Sequence, residues 1–326
     1  MSYKSSSRIT ALGAYLPSRK LTNNDLEKMV DTNDEWIVRR TGVRERRISE
    51  ENEFSSDMAI KAVENLIERN GASVDDVDMI LVSTFTSDHL SPTVSALVQG
   101  HFGIMNTGSM DINSGCTGYA YALCVANSLI TAGNCNKILV IASETVSKVV
   151  DYTNRSTCIL FGDAAAAALV ERDDRKGGFI SSYFTTDGKL AENVACSNLS
   201  DSVNGVKLEK KRLFQQDGRF LYEYVVKNVP EGIRRLLDNA GLTLGDIDWI
   251  VPHSANLRMI ESICKRLDYP IEKALVSNEF YGNTSSVTIP LAIWMALEKS
   301  MIKAGDKILL YGYGGGLTHG GIVIEW

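Results

Sequence analysis

Two short apolar runs occur twice in this chain at one fixed offset. VDMILVS at 77–83 is matched by IDWIVPH at 247–253, and NKILVIA at 136–142 by DKILLYG at 306–312, each pair 170 residues apart. Every run is β-branched and apolar and follows an acidic or glycine-containing turn. A helical pattern precedes it, DMAIKAVENLIERNG in the first half and VPEGIRRLLDNAG in the second. The chain reads as a duplication. Strands alternating with helices imply parallel sheets covered by helices, and two such halves are expected to pack pseudo-symmetrically with a site between them. A length of 326 residues suits two domains or one large α/β body. The charged, glycine-ended stretch VERDDRKGG at 170–178 marks the boundary, giving halves 1–172 and 173–326.

The same offset sets Cys116 opposite Ser286, so the junction around Cys116 and the loop carrying Asn283 are expected to face each other. DINSGCTGYAYALCVANSLI at 111–130 starts like a buried strand, turns through small residues and continues as an Ala-rich helix, with Cys116 at the junction. Unpaired N–H groups and the macrodipole at a helix start favour thiolate, which suits a nucleophile; a buried packing cysteine is the equal alternative on this stretch alone. In VPHSANLR (251–258), His253 leaves a strand end, where a packed or solvated histidine is the commoner finding. YGNTSS (281–286) with Asn283 reads as a turn. GYGGGLTHGG (312–321) is followed by a strand pattern and not a helix, so it is no dinucleotide loop. It suits a tight hairpin, or backbone N–H groups brought close to a developing oxyanion.

Two further stretches carry candidate binding residues. In DTNDEWIVRR, Thr32 and Glu35 have capping-box spacing, which puts Trp36 and Arg40 on one helical face; the plainer reading is a buried tryptophan beside solvated arginines. After His253, Arg258 and Lys265 share a helix face with Arg266 beside them, by default a solvated charge run.

The net charge of −6 argues against a general nucleic-acid binder. The opening MSYKSSSRITALGAYLP lacks the apolar core of a secretory signal, and no run reaches the roughly eighteen apolar residues of a membrane span, so a soluble cytoplasmic protein is expected. Six cysteines without a CxxC pair, and four histidines that do not cluster with them, indicate neither metal site nor disulfide framework.

Together these segments resemble the Cys-His-Asn condensing enzymes of the thiolase-like fold, above all the bacterial 3-oxoacyl-[acyl-carrier-protein] synthases III. The resemblance runs through NNDLEKMVDTNDEWIVRRTGVRERRI, GCTGYAYAL, RSTCILFGDAAAA, DWIVPHSANLRMI, YGNTSSVTIP and GGGLT, spanning nearly the whole chain. It implies two βαβαβαββ halves packed as a layered α/β/α/β/α body. It implies that Cys116 takes an acyl group from acyl-CoA and that His253 and Asn283 stabilise the enolate left when malonyl-carrier loses CO2. The backbone N–H groups of Cys116 and Gly315 would hold the second oxyanion.

By the same resemblance Trp36 and Arg155 sandwich the CoA adenine, Thr32 and Arg40 lie at the nucleotide, and Tyr222 and Asn256 line the pantetheine tunnel. Arg258, Lys265 and Arg266 receive an acidic carrier protein, and the enzyme is a homodimer needing no metal or redox cofactor. Two departures stand out: Glu223 replaces a frequent lysine beside the tunnel, and Ser91 replaces a phenylalanine that reaches a bound acyl group across the dimer. The second favours a branched or bulky primer. Alternatives are a specialised-metabolism acyltransferase, a malonyl-CoA-using condensing enzyme of the same fold, and a non-catalytic CoA- or acyl-binding module.

Overall fold

The computed structural model describes residues 5–174 and 177–326; residues 175–176 of the boundary stretch, and the first four of the opening segment, lie outside the described residues. The principal strands of the first half are β1 (Ser7–Tyr15), β2 (Met79–Ser83), β3 (Gly108–Ile112), β4 (Lys137–Glu144) and β5 (Ala164–Arg172), in sheet order β1-β5-β4-β2-β3. Those of the second are β6 (Phe179–Thr186), β7 (Trp249–Pro252), β8 (Lys307–Gly314) and β9 (Thr318–Glu325), in order β7-β8-β9-β6. An isolated parallel bridge from Ile250 to Ala274 stands where the first sheet has β3.

The principal helices are α1 (Asp34–Thr41), α2 (Ser55–Asn70), α3 (Val94–Phe102), α4 (Gly118–Thr131), α5 (Gly218–Ala240), α6 (Leu257–Leu267) and α7 (Thr288–Glu298). The 170-residue offset survives to the residue: β2 and β7, β4 and β8, and α4 and α7 each begin 170 positions apart.

The sheets are mixed, which corrects the expectation of parallel ones. β2 runs parallel to β3 and β4, and β7 to β8, but β5 is antiparallel to β4 and β1, and β9 to β8 and β6. The reason is connection length. β8 and β9 are joined by Gly315–Leu317 alone, far short of the crossover that parallel neighbours need.

Five layers follow from how the strands divide their side chains. On β4, Ile138, Val140 and Ala142 face the central layer of α4 and α7, while Leu139 and Ile141 face α2 and α3. On β8, Ile308 and Leu310 face the same central layer, and Leu309, Tyr311 and Tyr313 face α5 and α6. Both faces of each sheet are therefore covered, and α4 and α7 are apolar nearly all round. α6 is one-sided instead: Met259, Ile260, Ile263, Cys264 and Leu267 are buried while Arg258, Lys265 and Arg266 are exposed. No described helix is long and apolar enough to cross a membrane.

The central layer joins the two halves, so damage there should be felt globally. Leu291 of α7 is fully buried within it. Leu291→Ala is expected to cost about 2–5 kcal/mol, read as a lowered denaturant midpoint and Tm; an unchanged midpoint would show that the layer can collapse around the lost methyls.

Candidate active site

Cys116 sits in a 3-10 turn, Gly115–Thr117, that leads into α4. Its counterpart 170 positions on, Ser285–Val287, leads into α7. The two turns meet, and the Ser285 hydroxyl lies 3.6 Å from Cys116 Sγ. At the ends of the strands below, Glu144 of β4 and Gly314 of β8 are also 170 apart. Glu144 accepts a 2.8 Å hydrogen bond from Ser286, and a Cβ built on Gly314 would stand 3.0 Å from Cys116 Sγ. The glycine leaves room for the thiol where the other half carries a carboxylate.

His253 follows β7 and is nearly inaccessible. Its N–H donates to the Tyr311 carbonyl at 2.8 Å and its carbonyl accepts from the Tyr313 hydroxyl at 2.7 Å. Nδ1 lies 2.7 Å from Thr288 Oγ1, which also reaches the Ser285 carbonyl at 3.0 Å, so this hydroxyl selects the imidazole tautomer. Its one proton goes either to that carbonyl, with Nδ1–H then donating to the hydroxyl, or to Nδ1, with the remaining ring proton then on Nε2. Asn283 is anchored by its N–H to the Leu160 carbonyl at 2.8 Å, and its Oδ1 accepts from Ser285 N at 2.9 Å. That leaves the Asn283 amide nitrogen as the free donor.

Burial sets the charge state. It pulls His253 down to about 3, a Ser285 backbone hydrogen bond opposing, so the ring is neutral at physiological pH. It pushes Cys116 up to about 12; the Ser285 hydroxyl lowers it and Glu144 raises it further. Burial thus opposes the thiolate that the helix start favours. The 3-10 turn also places Cys116 before the α-helix, whose N-cap is Thr117.

A cavity of about 750 Å³ is lined by Cys116, His253 and Asn283, and by the exposed Arg40, Tyr222 and Arg258, so it runs from the surface to the thiol. Trp36 and Asn256 line it too. Asn256 caps α6, its Oδ1 accepting from Arg258 N at 2.8 Å, and Tyr222 Oη lies 2.8 Å from Ser262 Oγ. A second cavity, about 990 Å³, touches Cys116 and Gly315 and includes Phe85, Leu90 and Phe214. Cys116 lies between the two.

Other expected residues fall elsewhere. Thr32 and Arg155 line neither cavity, nor do Lys265, Arg266 and Ser91. Thr32 is not the cap of α1: Asn33 is, its Oδ1 accepting from Trp36 N at 2.8 Å, because asparagine caps better than threonine and stands next to the helix. The Thr32 hydroxyl is buried without a partner. Trp36 and Arg40 do share a face, the guanidinium 5.9 Å from the ring. The Arg155 guanidinium also lies over the Trp36 ring, 4.9 Å from its centroid, and is held by Asp31, with its carboxylate 3.7 Å away and its carbonyl accepting at 2.7 Å. An adenine between two stacking partners needs about 7 Å, two contacts of roughly 3.5 Å, so Arg155 must swing out to admit one. Arg258 is paired to Glu261 at 2.8 Å, and its Nε donates to the Arg39 carbonyl. Glu223 is paired with Arg219 at 3.0 Å.

Sequence reasoning missed Ser285, Thr288, Glu144 and Gly314. The offset that matched Cys116 to Ser286 also matches Glu144 to Gly314, and was the signal available.

Two substitutions test this geometry. Gly314→Ala should crowd Sγ, costing about 1–3 kcal/mol of barrier, or roughly ten- to a hundredfold in the rate of thiol modification followed by mass spectrometry. Thr288→Val removes the hydroxyl that orients His253; chemistry depending on the ring should slow while thiol alkylation continues, and equal loss of both would point to general disruption.

Comparisons with known proteins agree with this geometry. The family described as 3-oxoacyl-[acyl-carrier-protein (ACP)] synthase III matches residues 110–188, and its C-terminal family matches 237–326. The chain is 53% identical over 322 residues to beta-ketoacyl-[acyl-carrier-protein] synthase III 2 of Bacillus subtilis, covering 99% of each chain. It is 52% identical to the protein of that name from Halalkalibacterium halodurans, covering 99% of this chain and 97% of the other. Among solved structures, beta-ketoacyl-[acyl-carrier-protein] synthase III of Thermus thermophilus superposes with a TM-score of 0.94 at 40% identity, covering 98% of both chains. The layered, duplicated fold, the thiol between two cavities and these similarities lead to one statement: the chain belongs to the 3-oxoacyl-[acyl-carrier-protein] synthase III family of thiolase-like condensing enzymes.

Proposed function

We propose that this enzyme joins an acyl-CoA primer to malonyl-acyl-carrier protein, releasing CoA and CO2 and starting fatty acid synthesis in the cytoplasm. The observation that carries the assignment is Cys116 standing between two cavities, with His253 and Asn283 lining one of them. One cavity reaches the surface and suits the thioester arm of CoA or of a carrier; the other suits the primer's acyl chain.

Cys116 attacks the primer thioester and keeps the acyl group as a new thioester. Malonyl-carrier then enters the vacated arm cavity. His253 Nε2–H and the Asn283 amide donate to its thioester carbonyl, so the electron pair freed by loss of CO2 is held as an enolate. A neutral imidazole is what this step uses, and burial supplies it. The enolate carbon attacks acyl-Cys116, whose oxyanion is met by the N–H groups of Cys116 and Gly315, and collapse gives the 3-oxoacyl-carrier. Every step is carried by side chains and backbone, with CoA thioester as substrate and no further cofactor; among the described residues no cluster of histidine, cysteine, aspartate and glutamate forms a metal site.

Trp36, Arg40 and Arg155, with Thr32 nearby, form the nucleotide end, while Tyr222 and Asn256 border the arm. For the acidic carrier, Lys265 and Arg266 are exposed on α6, and Arg234 joins them by donating to the Arg266 carbonyl at 2.7 Å. Arg258 contributes less than its charge suggests because Glu261 holds it. A homodimer is supported by β3, an unpaired sheet edge with exposed Gly108, Ser109 and Met110 beside the 74% exposed Met105. The halves 1–172 and 173–326 act as one catalytic body, the first supplying the nucleophile and the second His253 and Asn283. A specialised-metabolism role is the second reading, favoured by 32% identity and a TM-score of 0.90 to the priming beta-ketosynthase of the R1128 polyketide pathway.

Intact-protein mass spectrometry with a panel of straight and branched acyl-CoAs, followed by malonyl-carrier, tests the assignment. Wild type should gain the acyl mass and lose it to 3-oxoacyl-carrier, and Cys116→Ala should gain nothing. His253→Ala and Asn283→Ala should load normally yet discharge about 100- to 1,000-fold more slowly. The best-loaded primer names the substrate, and preference for acetyl-CoA over isobutyryl- and isovaleryl-CoA would dismiss the bulky-primer expectation. Loading by no primer would favour a CoA-binding module; discharge by malonyl-CoA without carrier would favour the specialised reading.

A further inference from the structure

Glu144 is a fully buried carboxylate that the condensation chemistry does not use. Oε1 accepts from Ser285 Oγ at 3.1 Å and from Ser286 Oγ at 2.8 Å; Oε2 accepts from Thr86 Oγ1 at 2.8 Å, Phe85 N at 3.2 Å and Thr84 Oγ1 at 3.3 Å. All five donors are neutral, and no described cation forms an ion pair with it. A carboxylate kept without a counter-charge in the interior is costly, so its presence calls for a reason.

Its position gives one. The Ser285 hydroxyl lies between Glu144 Oε1 and Cys116 Sγ, and it has a single proton. When that proton points to the carboxylate, the serine oxygen can only accept from Cys116, so the S–H, the O–H and the carboxylate line up as a two-step path. A thiol loses its proton when it attacks, and this line of groups can take it. His253 Nδ1 is engaged with Thr288, and a ring that donates from Nε2–H to the enolate carries no lone pair there to take the thiol proton.

We propose that Glu144, acting through Ser285, takes the Cys116 proton during acyl loading and returns it after condensation. The proposal rests on Cys116 being the acylated nucleophile. In loading, the Cys116 S–H bond breaks as the S–C bond to the acyl carbon forms; the thiol proton moves to Ser285 Oγ while the serine proton moves to Glu144. CoA leaves as thiolate and takes a proton from water. In condensation, attack of the enolate carbon expels the Cys116 thiolate, and the proton on Glu144 returns through Ser285. One proton from solvent is consumed per turnover, matching the loss of the malonyl carboxylate as CO2. Burial raises Glu144 to about 7, opposed by the Ser286, Thr86, Phe85 and Ser285 hydrogen bonds, so the group can both accept and give back a proton near neutrality. On the elements packed against it, Cys116 on the first 3-10 turn is the titratable group coupled to it; the contacts from the loop after β2 and from the second turn are uncharged.

Glu144 is a positioning residue in this scheme and Ser285 the catalytic one, and a merely structural tie between the halves would use the same contacts. The test therefore reads rate against pH. Single-turnover acyl loading is followed by quench and intact mass from pH 5.5 to 9 for wild type, Glu144→Gln, Ser285→Ala and the Glu144→Gln/Ser285→Ala pair. Wild-type loading should rise with a midpoint near 7, as Glu144 ionises. Glu144→Gln and Ser285→Ala should each load ten- to a hundredfold more slowly at pH 7.5 and lose that midpoint. The pair should be no slower than the worse single. Wild-type rate and an unchanged profile in Ser285→Ala, which keeps the Ser286 bond to Glu144, would overturn the relay while leaving Cys116 as nucleophile. Failure of wild type to load any primer would instead remove the nucleophile and the relay with it.

Discussion

Everything at the centre of this molecule depends on one contact, that between the two 3-10 turns where α4 and α7 begin. Each turn closes its own half and packs against the other, the second fully buried and the first half-buried where the cavities reach Cys116. Cys116 comes from one, Ser285 and Ser286 from the other, and the strand ends beneath them exchange partners across the pseudo-twofold, Glu144 under Ser286 and Gly314 under Cys116. Duplication makes the frame symmetric. The chemistry comes from breaking that symmetry at two pairs of positions, cysteine against serine and carboxylate against glycine.

Burial then bears on the charge states. A helix start favours an anion by up to about 2 kcal/mol. At Cys116 burial acts in the opposite direction and favours the neutral thiol. The same enclosure keeps His253 neutral, which is the form able to donate a hydrogen bond to an enolate without transferring a full charge into the interior. A site built this way works with neutral donors in fixed places and reserves ionisation for the moment of reaction.

Particular residues show how much was legible beforehand. The duplicated runs announced two strands of each sheet and their 170-residue offset, and the small residues around Cys116 announced a strand-turn-helix junction. The Trp36–Arg40 pairing followed from helical spacing. Parallel sheets did not follow, because an alternating strand and helix pattern carries no information on the direction of a strand returned by a three-residue turn. The cap of α1 slipped from Thr32 to Asn33 because two capping residues stand side by side. Arg258 read as an exposed charge, while Glu261 one turn away holds it.

By itself, the sequence determined the duplication, the layered α/β class, the junction that exposes Cys116 and, through family motifs, the trio with His253 and Asn283. These are local or periodic properties, readable wherever side-chain pattern follows backbone geometry. Only the tertiary structure decided that burial opposes ionisation of the thiol, that Ser285 stands between it and Glu144, that Thr288 meets the imidazole, and that Arg155 lies over Trp36. Each of those depends on what residues far apart in the chain exclude or offer in a shared interior, and desolvation and hydrogen-bond partnership exist only once the two halves have met.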